Sequence, residues 1–230
     1  MTTQSIDFKG MTSCTFNNQE VLEIRLDGER MWKKGLVYYD WFQHLKYNGG
    51  GCSINTGFTP QYGDSVYFKF DKRCESIFSL FGTRVGNGNA HLQVMLPSNT
   101  SSKKSRFNYS AVNYTSSDGT DFASGGPFDV ELSSTFFRLN GELKYYNSLQ
   151  NTKCTFPGPI VINGLYNNGT IETTANDGPK MYYLKIIRSG KTVREWKPCT
   201  YNGEPGLYET VTQTFFGHTG NTGLFVVGND

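Results

Sequence analysis

The feature that most constrains this chain is a two-residue apolar alternation that returns in short runs. Val66, Phe68 and Phe70 alternate with Tyr67, Lys69 and Asp71. Leu92, Val94 and Leu96 alternate with His91, Gln93 and Met95, and Phe128, Val130 and Leu132 with Asp129, Glu131 and Ser133. Successive side chains on a strand point to opposite faces, so each run predicts a strand with one dry and one wet side. Tyr182, Leu184 and Ile186 repeat the scheme before a Ser189-Gly190 turn and the return strand KTVREW. No segment keeps a 3.6-residue apolar period over three turns, so helix is expected to be minor. Strands of this half-wet kind assemble as an antiparallel sandwich.

The chain has 230 residues, enough to bury a sizeable core unaided. Its 26 glycines and 15% aromatic content fit a turn-rich β protein. The connections Pro97–Arg106, Thr115–Gly126 and Tyr166–Pro179 are rich in Ser, Thr, Asn and Gly and read as polar loops. Two-sheet jelly-roll topology is the expected architecture over residues 36–230. At Asn140-Gly141 a strict two-residue loop sets Leu139 opposite Glu142, which predicts a longer loop or a bulge there.

Residues 1–35 read as a separate N-terminal module. VLEIRL, Asp27-Gly28 and ERMWKK form a β-hairpin pattern, because Asp-Gly readily supplies the two positive-φ positions of a type I′ turn. With that loop Ile24 lies opposite Met31, and Leu22 and Leu26 share its face. A lone hairpin is not stable in water, so this one is expected to dock on the main domain or to attach the chain to a partner.

Charge narrows the functional classes. Lys and Arg number 22 and Asp and Glu 20, for a formal net charge of +2, which excludes capture of nucleic acid or an anionic membrane as the main role. The one basic and aromatic grouping, Lys103, Lys104 and Arg106 near Tyr109 and Tyr114, reads as a solvated loop. The start MTTQSIDFKG has no basic stretch followed by an apolar run, and no run approaches the ~18 residues of a membrane span, so a soluble, non-exported product is expected. Cys14, Cys52, Cys74, Cys154 and Cys199 have neither CxxC nor CxH spacing and are expected to be free thiols.

Catalytic patterns are sparse. Glycoside hydrolysis needs two carboxylates flanking the scissile bond, and the one local candidate is Asp129 with Glu131, which share a face but read equally well as the wet side of their strand. His44, His91 and His218 stand in unrelated contexts, and no Ser sits in a G-x-S-x-G elbow. Gly86–Asn89 lacks the Lys-Ser/Thr that a phosphate cradle requires. Asp118 and Asp121 could gather oxygen ligands for calcium but lack a bidentate Glu at EF-hand spacing. No catalytic, cofactor-binding or metal-binding residue is therefore expected. The aromatic content, with Asn, Asp and Gly in the loops, suits a carbohydrate surface or a subunit contact, and composition does not choose between them.

Four segments carry a resemblance. Leu45–Pro60, LKYNGGGCSINTGFTP, resembles the opening of concanavalin A-like (laminin-G-like) domains in structural proteins of bacteriophages and prophages of gut bacteria. Ser53, Ile54, Thr56 and Gly57 follow that pattern, while Asn55 replaces its aspartate and Gly50-Gly51 loosens its turn. IFSLFGTRVGN at Ile77–Asn87 is similar to the next strand and glycine turn. Arg194–Gly228 is similar to the terminal signature, with Pro198, Cys199, Gly206, Tyr208, Glu209, Phe215, Phe216, Thr222, Gly223 and Phe225 in its positions. Residues 1–35 also resemble the short hairpin modules that precede such domains.

The resemblance implies a concanavalin A-like jelly roll and a non-enzymatic virion component, assembled in the host cytoplasm. A head fibre, capsid decoration or tail appendage is the expected form, with other virion proteins as partners. The family's lectin-like name describes a fold, so a receptor module that binds host capsule polysaccharide is the alternative. With 14 Tyr, 17 Phe and 3 Trp and a charged fraction of 18% against the ~25% typical of soluble domains, a homo-oligomer is expected. Resemblance to phage fibres favours a trimer.

Overall fold

In the computed structural model the described residues are 15–16, 19–26, 29–46, 51–71, 78–85, 92–96, 105–110, 112–115, 126–146, 154–173, 177–217 and 223–230. Along the chain the strands are β1 (Thr15–Phe16), β2 (Gln19–Glu20), β3 (Glu23–Leu26), β4 (Glu29–Lys33), β5 (Leu36–Tyr38), β6 (Trp41–Lys46), β7 (Ile54–Asn55) and β8 (Ser65–Phe70). They continue as β9 (Phe78–Arg84), β10 (Leu92–Leu96), β11 (Arg106–Tyr109), β12 (Val112–Thr115), β13 (Phe128–Leu132), β14 (Phe136–Leu139), β15 (Glu142–Tyr146) and β16 (Val161–Ile162). The last are β17 (Gly164–Asn167), β18 (Thr170–Thr173), β19 (Met181–Arg188), β20 (Lys191–Tyr201), β21 (Glu204–Glu209), β22 (Thr214–Phe216) and β23 (Gly223–Gly228). There is no helix among the described residues, as the alternation predicts.

Two large sheets face one another. The larger runs β15-β14-β13-β8-β19-β20-β21-β22, with β5 beside β20 and β6 joining β19 to β23; the smaller runs β12-β11-β10-β9-β16-β7 and also carries β17 and β18. Pairing is antiparallel throughout except between β17 and β9. Val66, Phe68 and Phe70 from the larger sheet meet Leu80, Phe81, Val94 and Phe107 from the smaller in one continuous core. Phe68 is fully buried, and its ring meets that of Phe81 edge-on, centroids 4.9 Å apart, across the sandwich. Much of the aromatic content goes into this core: Phe42, Phe107, Phe128, Phe137, Phe156, Phe225 and Trp196 are all buried in it.

Four expectations on pairing and exposure are corrected. In the hairpin, a bulge between Ile24 and Arg25 shifts the ladder, so Ile24 faces Trp32 and not Met31. Leu22 is 63% exposed, so that end of the apolar face is uncovered. A bulge between Met181 and Tyr183 turns Met181 into the core and leaves Tyr182 half-buried on the outer side. Gln93 is buried and not wet, because Gly82 opposite it leaves room that Leu165 fills; a Cβ on Gly82 would lie 2.6 Å from Leu165 Cδ1.

Turn chemistry explains the rest. Asn140-Gly141 is a strict two-residue loop with both φ positive, and Leu139 does face Glu142. The irregularity lies one pair further on, between Phe137 and Arg138, and β15 is an edge strand whose mismatch costs little core. Ser189-Gly190 is the expected two-residue turn, with φ of 49° and 76°. The stretch 166–179 is not all loop: Asn168-Gly169 closes a hairpin between β17 and β18.

The stretch Arg194–Gly228 makes packing contacts at several points. Pro198 lies where β20 changes partner, from β19 up to Trp196 to β5 from Cys199 onward. A Cβ on Gly206 would lie 2.4 Å from the Phe216 carbonyl oxygen, so the β21–β22 pairing needs glycine there. Phe225 packs against Phe42 at 4.9 Å, and Phe215 against Tyr201 at 5.6 Å. Cys52, Cys154 and Cys199 are in no disulfide, and burial pushes the Cys52 and Cys199 thiols up to about 12. Cys14 and Cys74 lie outside the described residues.

Candidate functional site

The outer face of the larger sheet carries what the inner face does not need. On β8 the buried residues are Val66, Phe68 and Phe70, so Tyr67 and Lys69 point outward. Register then builds rows across the strands. Asp129 on β13, Lys69 on β8 and Tyr183 on β19 stand side by side, and so do Arg138, Glu131, Tyr67, Lys185 and Glu195 on five successive strands. In the second row each carboxylate has a donor directly across the ladder, as cross-strand neighbours favour. Arg138 Nη1 donates to Glu131 at 2.9 Å, the Tyr67 hydroxyl donates to the same carboxylate, and the Tyr183 hydroxyl donates to Asp129 at 3.0 Å.

Beside these rows lies an open groove of ≈ 1180 Å³. Tyr38, Tyr39, Tyr182 and Tyr183 supply its aromatic surface, Tyr208 lines it from a buried position, and Lys69, Lys185, Lys197, Glu195, Asp40 and Asp230 supply its charges. Tyr38 meets Tyr208 edge-on at 6.1 Å, and the Tyr182 hydroxyl donates to Asp230 at 3.0 Å. Lys180 also donates to Asp230, at 3.1 Å, and with the Tyr182 hydroxyl holds that carboxyl below the usual carboxylate range. Glu195 holds Lys197 at 3.5 Å and Lys185 at 4.0 Å, and accepts from the Thr210 hydroxyl at 3.0 Å.

The rim at Thr210–Gln213 is fixed from beneath by Glu209. This carboxylate is fully buried and accepts from the backbone N–H groups of Glu195 at 2.9 Å, Val211 at 3.0 Å and Thr212 at 2.6 Å, and from the Thr212 hydroxyl. The hairpin reaches the same rim, where Arg25 Nη2 donates to Gln213 Oε1 at 2.7 Å. A second buried carboxylate, Asp64, is structural. It takes Arg188 through two bonds of 2.7 and 2.9 Å, while Arg188 and Arg194 lie over the Phe58 ring.

Burial and carboxylate neighbours act together on the outer tyrosines. Burial first and then Asp230 push the Tyr182 phenol up to about 12, and burial with Glu131 does the same for Tyr67. Burial and Asp129 move Tyr183 in the same direction. These groups stay neutral hydroxyl donors well past the ordinary phenol value. The folded state resists ionisation more than the unfolded chain, so the stability these groups contribute is whole below pH 10.0 and is lost as pH rises to about 12. The thermal midpoint should hold through the neutral range and then fall by roughly 5 °C or more across that alkaline window. Calorimetry at stepped pH, with phenolate absorbance as the companion signal, checks it; a midpoint flat across the window contradicts the assignment.

Of the residues that sequence patterns single out, Asp129 and Glu131 do share the outer face, each already engaged by donors. Tyr109 is in the core, its hydroxyl donating to the Gln61 carbonyl at 2.9 Å, and Tyr114 stacks on Phe137 at 4.6 Å. Neither is a platform for bases. His44 lies in β6 opposite Phe225. His91, His218, Lys103, Lys104, Asp118, Asp121 and Gly86–Asn89 lie outside the described residues. Sequence patterns missed the groove itself; its signal was the tyrosine and lysine content of the outward positions on β8, β19 and β20. No protein-family model matches this chain, and no curated protein matches its sequence.

Proposed function

We propose that this chain is a non-enzymatic structural protein of a bacteriophage virion that engages carbohydrate on the host surface through the tyrosine groove. The observation that carries the binding part is the groove: Tyr38, Tyr39, Tyr182 and Tyr183, with Tyr208 buried against Tyr38, beside lysines and carboxylates on one sheet face. A pyranose presents an apolar C–H face and a rim of hydroxyls, and tyrosine offers a ring for the first and a hydroxyl for the second. Fixed Lys and Glu side chains supply further donors and acceptors for sugar hydroxyls. The virion placement, as head fibre, capsid decoration or tail appendage, rests on the similarity of Leu45–Pro60 and Arg194–Gly228 to concanavalin A-like domains of phage proteins, as does the jelly-roll assignment. On this reading the chain works as a homo-oligomer, a trimer by that similarity, whose repeated weak sites gain avidity. Residues 1–35 then form the attachment module.

The test is a glycan array with the full chain and its Tyr38→Ala variant. Tyr38 is 38% exposed and lines the groove, its ring edge-on to Tyr208. The variant should fold normally and bind about 5- to 30-fold more weakly, the effect of losing ~1–2 kcal/mol at a contact hot spot. No bound glycan at all, or binding untouched by Tyr38→Ala, rejects the groove as the carbohydrate site.

A further inference from the structure

The charges of the groove are unevenly matched along its length. At one end Asp230 is held by Lys180 and Tyr182, and Asp40 accepts the Asp230 backbone N–H at 3.2 Å. In the middle, over β8, β19 and β20, the lining holds three lysines, Lys69, Lys185 and Lys197, and one carboxylate, Glu195. Lys185 and Lys197 both lean on Glu195, which also accepts from Thr210. Lys69 has no carboxylate partner among the described residues; its ammonium rests over the Tyr182 ring, 5.3 Å from the centroid. Asp129, its neighbour across the ladder, is taken by the Tyr183 hydroxyl. The middle of the groove therefore offers a cation with donor capacity to spare, flanked by the aromatic surfaces of Tyr182 and Tyr183.

We infer that the groove selects an acidic carbohydrate, with Lys69 receiving the anionic substituent of a sugar that packs on the tyrosines. This deepens the carbohydrate reading given above and rests on it. The chemistry is that of a carboxylated sugar, a uronate or a related acid. An ammonium donating to a carboxylate beside a partly dry wall makes a charge-assisted bond, stronger than any the neutral hydroxyls of the same sugar can make. The aromatic flanks then distinguish an acidic sugar from a bare anion. Four strands from β8 to β21 line the groove, with three gaps of ~4.8 Å each, so its length suits a short stretch of chain and not one sugar alone.

Affinity electrophoresis of the full chain through gels containing polygalacturonate, a neutral dextran or inorganic polyphosphate tests this. Retardation by polygalacturonate above that by dextran and polyphosphate is expected. Lys69→Gln should weaken the polygalacturonate effect about tenfold, while Lys69→Arg, which keeps the charge, retains most of it. Lys69 lies on the wet side of β8, and matched unfolding curves for both variants verify that the fold is kept. Equal retardation by dextran and polygalacturonate, or an unchanged Lys69→Gln, overturns the acidic preference while leaving the carbohydrate reading intact. Retardation by polyphosphate equal to that by polygalacturonate overturns it in favour of a bare anion site. Retardation by none of the three polymers, together with an empty glycan array, overturns both.

Discussion

Phe68→Ala should destabilise the protein by about 3–5 kcal/mol, the cost of emptying a fully buried ring site in the core. Phe68 is fully buried on β8 and stands between the sheets: Phe70 lies 5.9 Å away on the same strand, with Phe81 at 4.9 Å and Phe107 at 6.4 Å on the opposite sheet. Removing the ring takes away transfer energy and leaves a void that strands paired on both sides cannot close, since β13 and β19 fix the backbone of β8. With whole domains stable by ~5–15 kcal/mol, such a loss brings the protein close to unfolding at ambient temperature. Phe68→Leu, which keeps most of the volume, should cost about 1.5 kcal/mol. Denaturant unfolding checks both: the midpoint should drop with an unchanged slope. An alanine variant that loses less than Phe68→Leu would show that Phe81 and Phe107 collapse into the gap and that the two sheets do not depend on this contact.

The strands that sequence reads well are the ones with one wet face. On β8 and β13 the period of two is unbroken, and burial follows it residue by residue. β19 is misread by one position at its start because the bulge at Met181 resets the frame, and a bulge leaves no composition signal in a run of Met, Tyr and Tyr. The β17–β18 hairpin hides for a related reason: all four β18 residues are exposed, so no apolar alternation marks it, although Asn168-Gly169 supplies the turn. The groove is legible only in part. That Tyr67 and Lys69 face outward follows from the pattern. That Lys69 stands between Asp129 and Tyr183 depends on strand order, a long-range choice that no local window contains. Glu209 is harder still, because its role is set by a turn on one side and the β20 backbone on the other.

That turn supports the other large effect. Glu209→Ala should cost about 3 kcal/mol or more, because three backbone N–H groups, those of Glu195, Val211 and Thr212, lose a common carboxylate acceptor in a site where none of it is exposed. Glu209→Gln is the sharper variant. Both carboxylate oxygens accept here, Oε1 from Glu195 and Val211 and Oε2 from Thr212, so an amide must turn a donor toward a donor whichever way it is placed. A cost of about 2 kcal/mol is expected in spite of the near-identical shape. The effect should reach the groove as well, since the loosened turn carries Thr210, which holds Glu195, and Gln213, which receives Arg25. Carbohydrate affinity should therefore fall in Glu209→Gln at temperatures where the fold is still complete, and amide exchange should quicken at 210–213 before it does on β8. If exchange stays slow at that turn and the midpoint of unfolding is unmoved, the Glu209 carboxylate is not what shapes the rim.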